Sequence, residues 1–325
     1  MSKTRAFVLW AVAVLAVGCQ QPNGGRIELK VKYPPGTYQT TMAMDSTTAM
    51  TMADLGQEPR LVSMSMLMEM RMVYGRPGAD GRQEVTMTYT RIRQSTQAGG
   101  REMLYDSNNP EEQSSPLAPM YKPMLGAQFV AVIDADGKLV SLKGVDELFE
   151  KMAKENPAIA PLMNQFKKSL NMRELFDLGS KFLPAQPVAI GETFEKQADL
   201  PVPMFGTLAI TYHGRLLSVQ KTPAGRIAII DFSGKAVKAP AASQPAASSP
   251  AASEPGEPTS PFEQARLTLN QTGQQIFNVD KGMVQEATMI QAADVESPIT
   301  AGDRQGTMTM SMKQTVKLTT TEVSP

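Results

Sequence analysis

The chain has 325 residues, and its 32 lysine and arginine residues balance 32 aspartate and glutamate residues. No long basic run is present, which removes the electrostatic support for binding nucleic acid or an anionic membrane surface. Methionine is abundant (23 residues), aromatic residues are few, and a single cysteine excludes an internal disulfide. The length suits two domains or one large β-domain.

The N-terminus predicts a signal peptide over residues 1–18. Lys3 and Arg5 provide the positive start, and Ala6–Val17 is an apolar run too short for an ordinary transmembrane helix. The run ends in Ala16-Val17-Gly18-Cys19, which resembles the bacterial lipobox, although Ala16 replaces the more usual leucine. An ordinary signal peptide or a buried cysteine is the alternative.

The lipobox resemblance implies that Cys19 is lipidated and that residues 19–25 form a tether. Several acyl chains anchor a protein firmly, because each buried methylene contributes about 0.8 kcal/mol. We therefore expect a lipid-anchored protein of the bacterial cell envelope. Gln20 after the cysteine, rather than aspartate, favours the outer membrane, with the protein facing the periplasm.

Residues 26–144 predict a first β-meander. Its clearest strand is Val62–Tyr74, where every even position is apolar and five successive even positions are methionine. This period of two is typical of a strand with one buried face. Tyr38–Met52 and a strand from Val85 to about Gln94 show the same alternation, with a further strand over Arg101–Tyr105.

Two connections in this meander have distinct compositions. Ser107–Pro123 is rich in Asn, Pro, Ser and Glu and predicts a long surface loop. Phe129–Ile133 and Lys138–Leu142 flank Asp134-Ala135-Asp136-Gly137, which predicts a hairpin with glycine at a positive φ. A calcium loop is the alternative for the two aspartates, but the fuller ligand spacing is absent.

Residues 145–184 predict a helical segment. Val145, Leu148, Phe149 and Met152 recur with helical spacing, and Pro157 interrupts the pattern. The apolar spacing resumes after the proline and ends near Pro184. We expect these short helices to cover one face of the sheet.

Residues 185–325 predict a second β-meander. Residues 236–261 are almost entirely Ala, Pro, Ser and Glu, a composition that cannot bury enough apolar surface to order itself, so a disordered insertion is expected there. The final strand, Gly306–Thr320, again alternates methionine with Thr, Ser and Lys. The predicted fold class is mainly β (α+β): a curved antiparallel sheet or half-barrel of about ten strands, with the central helical segment packed on its concave face.

The sequence gives little support for catalysis. The one histidine, His213, lies in a predicted strand, and no nucleophile elbow, phosphate loop or His/Cys metal spacing is present. We therefore predict that the protein is not an enzyme, with no catalytic residue, no metal site and no cofactor.

The methionines are the chemically unusual feature, and the sequence places ten of them on one candidate apolar ligand surface. These are Met42, Met44, Met64, Met66, Met68, Met70, Met72, Met308, Met310 and Met312. Methionine is flexible and polarizable, so such a surface adapts to varied apolar partners. Three interpretations stay open: a plain core, a surface for a lipid or other hydrophobic ligand, and a Cu(I) site built from thioethers.

The lipobox, Tyr33-Pro34-Pro35-Gly36-Thr37-Tyr38, the Asp134–Gly137 hairpin and the Thr/Met-rich last strand together resemble an uncharacterised family of bacterial envelope lipoproteins, common in planctomycete-type genomes. That family has no assigned activity, so no functional residue is implied. At fold level the order of elements is also similar to the lipoprotein-carrier half-barrels of the LolA/LolB and LprG/LppX types. Such a likeness does not fix function.

The predicted function is that of a lipid-anchored, non-catalytic envelope protein that binds a hydrophobic ligand or lipid on its methionine-rich sheet face. A structural or protein-interaction lipoprotein is the first alternative, and a periplasmic Cu(I)-binding protein is the second. The expected partners are the membrane, through the N-terminal anchor, and a lipid; nucleic acid is not expected.

Overall fold

A computed structural model describes residues 25–52, 54, 56–155, 183–202, 206–238, 265–301 and 304–323. Within them the chain forms a curved, open, antiparallel sheet of twelve strands, which confirms the predicted fold class and exceeds the predicted strand number of about ten. Cys19 and the predicted signal peptide lie outside the described residues.

The strands follow two consecutive meanders. The first contributes β1 (Gly36–Met52), β2 (Gln57–Tyr74), β3 (Gln83–Ala98), β4 (Arg101–Asp106), β5 (Gln128–Ile133) and β6 (Leu139–Lys143). The second contributes β7 (Thr193–Val202), β8 (Gly206–Thr222), β9 (Gly225–Lys238), β10 (Arg266–Asn278), β11 (Met283–Ala301) and β12 (Arg304–Val323). Two short helices are described, α1 (Ala118–Tyr121) and α2 (Val145–Glu155).

The two meanders join through the first and last strands. The order across the sheet is β6-β5-β3-β2-β1-β12-β11-β10-β9-β8-β7, with β4 paired to one end of β3. β1 pairs antiparallel with both β2 and β12, so the methionine-rich strands lie side by side at the centre of the sheet.

The register gathers the methionines on one face, which we call the methionine face. Met42 lies opposite Met68, and Met44 lies opposite Met66. Residues directly opposite each other in an antiparallel pair project from the same side of the sheet. On β12, Met310 lies opposite Met50 and Met312 lies opposite Thr48, so these side chains belong to the same face.

The core also lies on the methionine face, towards the two outer parts of the sheet. Ile92 on β3, Ile210 on β8 and Ile230 on β9 are at most 1% exposed. The opposite face carries mostly polar side chains, such as Ser65 and Lys317, which are exposed. This division follows the alternation of the sequence, because burying an aliphatic side chain contributes roughly 1.5–3 kcal/mol.

Three glycines on this face each accommodate an aromatic ring from the neighbouring strand. Gly214 lies opposite Phe194, Gly234 opposite Tyr212, and Gly273 opposite Phe232. A Cβ atom on Gly214 would lie 2.1 Å from Phe194 Cζ, and one on Gly273 would lie 2.5 Å from Phe232 Cζ. The missing side chain therefore lets each ring lie flat across the adjacent strand.

The turn predicted at Asp134–Gly137 is present between β5 and β6. Gly137 has a φ of +79°, and Asp134 Oδ1 accepts hydrogen bonds from the backbone N–H groups of Asp136 (3.0 Å) and Lys138 (2.9 Å). Asp134 thus organises a turn through its own backbone neighbours, which is the ordinary role of aspartate at such a position.

The prediction of a surface loop over Ser107–Pro123 is wrong. The chain there forms a 3₁₀ turn at Pro110–Ser114, then α1, then a second 3₁₀ turn at Lys122–Met124. Ala118 and Tyr121 are buried against the methionine face. We call residues 107–127 the covering segment.

The predicted helical segment 145–184 is described only over α2, and the part from residue 156 to 182 lies outside the described residues. Leu148 and Met152 of α2 are buried, and the helix contacts α1 and the following 3₁₀ turn. The helical cover of the methionine face is therefore provided, in the described part of the chain, by the covering segment. The predicted start of the disordered insertion 236–261 is wrong, because β9 continues to Lys238 and Ala236 is 3% exposed. The remainder, from residue 239, lies outside the described residues.

Candidate apolar ligand site

The ten candidate methionines lie on three adjacent strands, β2, β1 and β12, with their side chains on one face. Neighbouring strands are about 4.7–4.9 Å apart, and successive residues on one face of a strand are about 6.6–6.8 Å apart. The thioethers of Met42, Met44, Met66 and Met68 therefore form one contiguous patch in the middle of the sheet.

All ten methionines are half-buried, and they divide into two groups. Five pack against the buried core clusters: Met66, Met68, Met72, Met310 and Met312. The other five belong to none of the four clusters: Met42, Met44, Met64, Met70 and Met308. The centre of the methionine face is thus an apolar surface between two cores.

The covering segment closes one side of this surface. Ile92, Tyr105, Ala118 and Tyr121 form a buried cluster, against which Met66 and Met68 pack. The rings of Tyr105 and Tyr121 stack with their centroids 5.6 Å apart, and burial raises the pKa of both phenols. The segment therefore protects part of the methionine face and leaves the central strands more open.

Beneath this segment lie polar atoms without a hydrogen-bond partner. Gln94 Oε1 and Tyr105 Oη are buried and unpaired, and so is Glu112 Oε2 in the covering segment. Gln94 uses only its amide nitrogen, which donates to Thr96 Oγ1 at 2.9 Å. A buried polar group without a partner costs about 1–3 kcal/mol, so these atoms need an explanation.

Sequence reasoning missed this polar group. The sequence of β3 contained a signal for it. The residues of this strand on the methionine face change from apolar at Ile92 to polar at Gln94 and Thr96. A glutamine at an inward-facing strand position is unusual, because its amide must then find partners away from water. Glu112 and Tyr105 carry no such local signal, since their burial depends on how the covering segment folds back.

Two thioethers on this face, those of Met72 and Met289, accept hydrogen bonds that orient them. Thr40 Oγ1 donates to Met72 Sδ at 3.3 Å, and Tyr74 Oη donates to the same sulfur at 3.8 Å. Gln291 Nε2 donates to Met289 Sδ at 3.6 Å. Sulfur is a weak acceptor, so these contacts constrain the side chains slightly without making them polar.

The described residues show neither a metal-binding cluster nor a spanning helix. No group of three or more His, Cys, Asp or Glu side chains among them could hold a metal ion. His213 lies on the opposite face of the sheet, with Nδ1 3.5 Å from Glu195 Oε2, and both side chains are exposed. No helix in this part of the chain is long and apolar enough to cross a membrane.

A cavity of about 690 Å³ lies at the centre of the sheet but mainly on the opposite, polar face. Its lining includes Asp45, Thr47, Ser63 and Ser65, and Met64 is the one candidate methionine that borders it. Its hydroxyl groups, Asp45 and Lys313 make this hollow more polar than the methionine face, although Ile290 and Ala292 also line it. The candidate site is therefore the open methionine face and does not coincide with this cavity.

Comparison with solved structures finds similarity to lipovitellin, in a structure that describes lipid–protein interactions. The match has a TM-score of 0.43 and 10% identity and covers 90% of this chain but only 26% of the lipovitellin chain. An outer membrane channel from Pseudomonas putida F1 is also similar, with a TM-score of 0.20 and 7% identity over 90% of this chain and 98% of the channel. The translocator domain of the autotransporter NalP from Neisseria meningitidis matches with a TM-score of 0.20 and 8% identity over 87% of this chain and 88% of that domain. At these scores and identities, none of them supports a functional argument.

Comparison with curated proteins finds no match. A family model does match, over residues 80–284, which is more than half of the chain. The matched range includes the covering segment and the strands from β3 to β10, whereas all ten candidate methionines lie outside it. The chain belongs to DUF6263, a family of unknown function.

Proposed function

We propose that this protein is a non-catalytic envelope protein that binds the acyl chain of a lipid on its methionine face. The observation that carries the proposal is the incomplete burial of Met42, Met44, Met64, Met70 and Met308 outside the core clusters. These five methionines pack against none of the buried core clusters, so their apolar surface is not needed to complete the core. A contiguous, incompletely buried apolar patch is typical of a binding surface.

The chemistry of the patch suits a long, flexible chain. An acyl chain of about fourteen methylenes gains about 11 kcal/mol when it is fully removed from water, at about 0.8 kcal/mol per methylene. Association costs an estimated 4–15 kcal/mol in lost freedom of motion. Short chains would therefore bind poorly, whereas long chains would bind measurably, and flexible thioethers can adjust to either saturated or kinked chains.

The proposal includes the location of the protein. The lipobox-like sequence before Cys19 supports a lipid anchor, and Gln20 supports the outer membrane. An anchored protein with an apolar surface on the periplasmic side would have access to lipids that cross the envelope. We therefore propose that the ligand comes from the surrounding membrane or from lipids in transit.

Native mass spectrometry of the full chain, purified from the envelope, tests the proposal. The same sample is measured under denaturing conditions, so that covalent acylation of Cys19 is separated from non-covalent lipid. We expect a non-covalent mass that matches an acyl lipid and that disappears on denaturation. A non-covalent mass of one copper ion would replace the lipid proposal with Cu(I) binding, and a native mass equal to the denatured mass would contradict both.

A pair of variants locates the ligand. Met42→Thr together with Met44→Thr removes two thioethers and keeps residues that favour strands. Ala43→Thr together with Ala49→Thr places the same side chains on the opposite face of the same strand. We expect the methionine variant to lose most of the bound lipid and the alanine variant to retain it. Equal retention in the two variants would place the lipid elsewhere.

A further inference from the structure

A single row of directly opposed side chains crosses the methionine face from β4 to β11. In order, the row consists of Tyr105, Gln94, Met66, Met44, Val316 and Met289. Its two ends differ in chemistry: the first two residues carry hydrogen-bonding groups, and the remaining four are apolar. A row with one polar end and a long apolar remainder has the layout of an amphiphilic molecule.

The polar end of the row, Tyr105 and Gln94, is buried. Tyr105 is 0% exposed and Gln94 is 6% exposed, yet Tyr105 Oη and Gln94 Oε1 have no hydrogen-bond partner. Protein interiors normally satisfy such groups, so two unpaired oxygens on directly opposed residues point to a missing partner.

The identity of these atoms fixes the chemistry of that partner. An amide oxygen can only accept hydrogen bonds, and a phenol can donate or accept. A hydroxyl or ammonium group complements them, because it donates. A carboxylate or phosphate can accept a hydrogen bond from the phenol, but it sets a negative oxygen against the amide oxygen of Gln94 and leaves that oxygen unsatisfied.

The apolar remainder of the row matches an alkyl chain. Met66, Met44, Val316 and Met289 are all half-buried, so each retains surface that a ligand can cover. Four strand spacings separate Gln94 from Met289, which amounts to about 19 Å along the row. A long chain laid across the strands would therefore contact every apolar member in turn.

We infer that the methionine face binds a long-chain amphiphile whose hydroxyl or ammonium head group hydrogen-bonds to Gln94 and Tyr105, with its chain along the row to Met289. This inference rests on the proposed function and adds the polarity and orientation of the ligand. Since the covering segment lies over the polar end, the head group is enclosed there, and access to it requires displacement of that segment.

Competition between three probes of equal chain length tests the inference. The full chain is mixed with equimolar hexadecylamine, hexadecan-1-ol and hexadecanoic acid, and the bound species are measured by native mass spectrometry. We expect the amine and the alcohol to bind at least tenfold more tightly than the acid. Equal binding of all three, or preference for the acid, would overturn the inference while leaving the proposed function standing; no binding of any probe would contradict the proposed function itself.

A matched variant tests the assigned residues. Gln94→Leu together with Tyr105→Phe removes two of the unpaired oxygens with little change in shape. We expect this variant to bind the three probes within threefold of one another, because the chain still lies on the methionines. Thr48→Val, on the same face but outside the row, is expected to keep the wild-type preference. A tenfold preference retained in the double variant would overturn the assignment.

Discussion

Arg91 binds the carboxylate of Asp106 through two hydrogen bonds, from Nε to Oδ1 at 3.2 Å and from Nη2 to Oδ2 at 2.7 Å. Asp106 ends β4, and its Oδ1 also accepts from the backbone N–H of Asn108 at 3.0 Å. The pair therefore fixes the point at which the covering segment leaves the sheet. The bidentate Arg91 contact, followed by the Asn108 hydrogen bond, holds the pKa of Asp106 below its usual range.

The first prediction concerns the pH dependence of this pair. Because the pKa of Asp106 is lower in the folded state than in the unfolded chain, its stabilisation is present above the unfolded pKa of about 3.9 and is lost as the pH falls through the folded value. Asp106→Asn should lower the free energy of unfolding by about 1–3 kcal/mol at pH 7. Urea denaturation at pH 7 and at pH 2.5 should show this difference shrinking at the lower pH.

Asp80→Asn is the control for this experiment. Its partner Arg82 lies 3.6 Å away, and both side chains are more than half exposed. Such surface pairs contribute about 0–1 kcal/mol, so little change is expected at either pH. If Asp80→Asn and Asp106→Asn lowered the free energy of unfolding equally, the larger stabilisation predicted for the Arg91–Asp106 pair would be disproved.

The second prediction compares two buried tyrosines. Tyr212 Oη donates to Gln271 Oε1 at 2.9 Å, whereas Tyr105 Oη has no partner. Tyr212→Phe should therefore lower the free energy of unfolding by about 1–3 kcal/mol, because it leaves Gln271 unsatisfied. Tyr105→Phe should be neutral or stabilising, since it removes an unpaired polar atom. Chemical denaturation of lipid-free protein measures both, and a large loss of stability in Tyr105→Phe would show that a hydrogen bond, such as one to a buried water, satisfies the phenol.

The third prediction concerns the glycine beneath an aromatic ring. A Cβ atom at Gly214 would lie 2.1 Å from Phe194 Cζ, so Gly214→Ala must displace the ring. We expect a loss of about 1–3 kcal/mol in the free energy of unfolding, which is typical of overpacking. Adding Phe194→Leu should cost less in the Gly214→Ala background than in the wild type, because contacting residues couple. If the effects of the two substitutions on the free energy of unfolding were strictly additive, the ring–glycine contact would be contradicted. Ser233→Ala, on the exposed opposite face, is the control and should leave the free energy of unfolding unchanged.

The fourth prediction concerns the anchor. Cys19→Ser should move the protein from the membrane fraction to the soluble periplasmic fraction, because several acyl chains provide most of the expected membrane affinity. Gln21→Ser, two residues further along the tether, should leave the distribution unchanged. Membrane fractionation and the intact mass of the mature protein measure the two effects. Unchanged membrane association of Cys19→Ser would disprove anchoring through this residue.

The local pattern of the sequence was enough to predict the strands and the shared face of the methionines. β2 spans Gln57–Tyr74 and contains the whole predicted strand Val62–Tyr74. Alternation of apolar and polar residues predicts a strand with one buried face without reference to the rest of the chain. The turn at Asp134–Gly137 was predictable for the same reason, since its chemistry lies within four residues.

The pairing of β1 with β12 was not predictable from local pattern. Met42 and Leu318 are opposite each other although 276 positions separate them in the chain. The covering segment was missed for a different reason: its Pro, Ser and Asn content resembles a surface loop, and its helical turns are too short to show a period. The polar end of the candidate site depends on that segment and was missed with it.

The central pairing also determines the order in which the sheet can form. As the chain emerges from its N-terminal end, β1 can pair with β2 at once, but its other edge has no partner until β12 follows. Contacts so distant in sequence form slowly, because a long loop must close first. Until then β1 has an unpaired edge, a recognised hazard for aggregation. The methionine face is thus completed only when β12 pairs with β1.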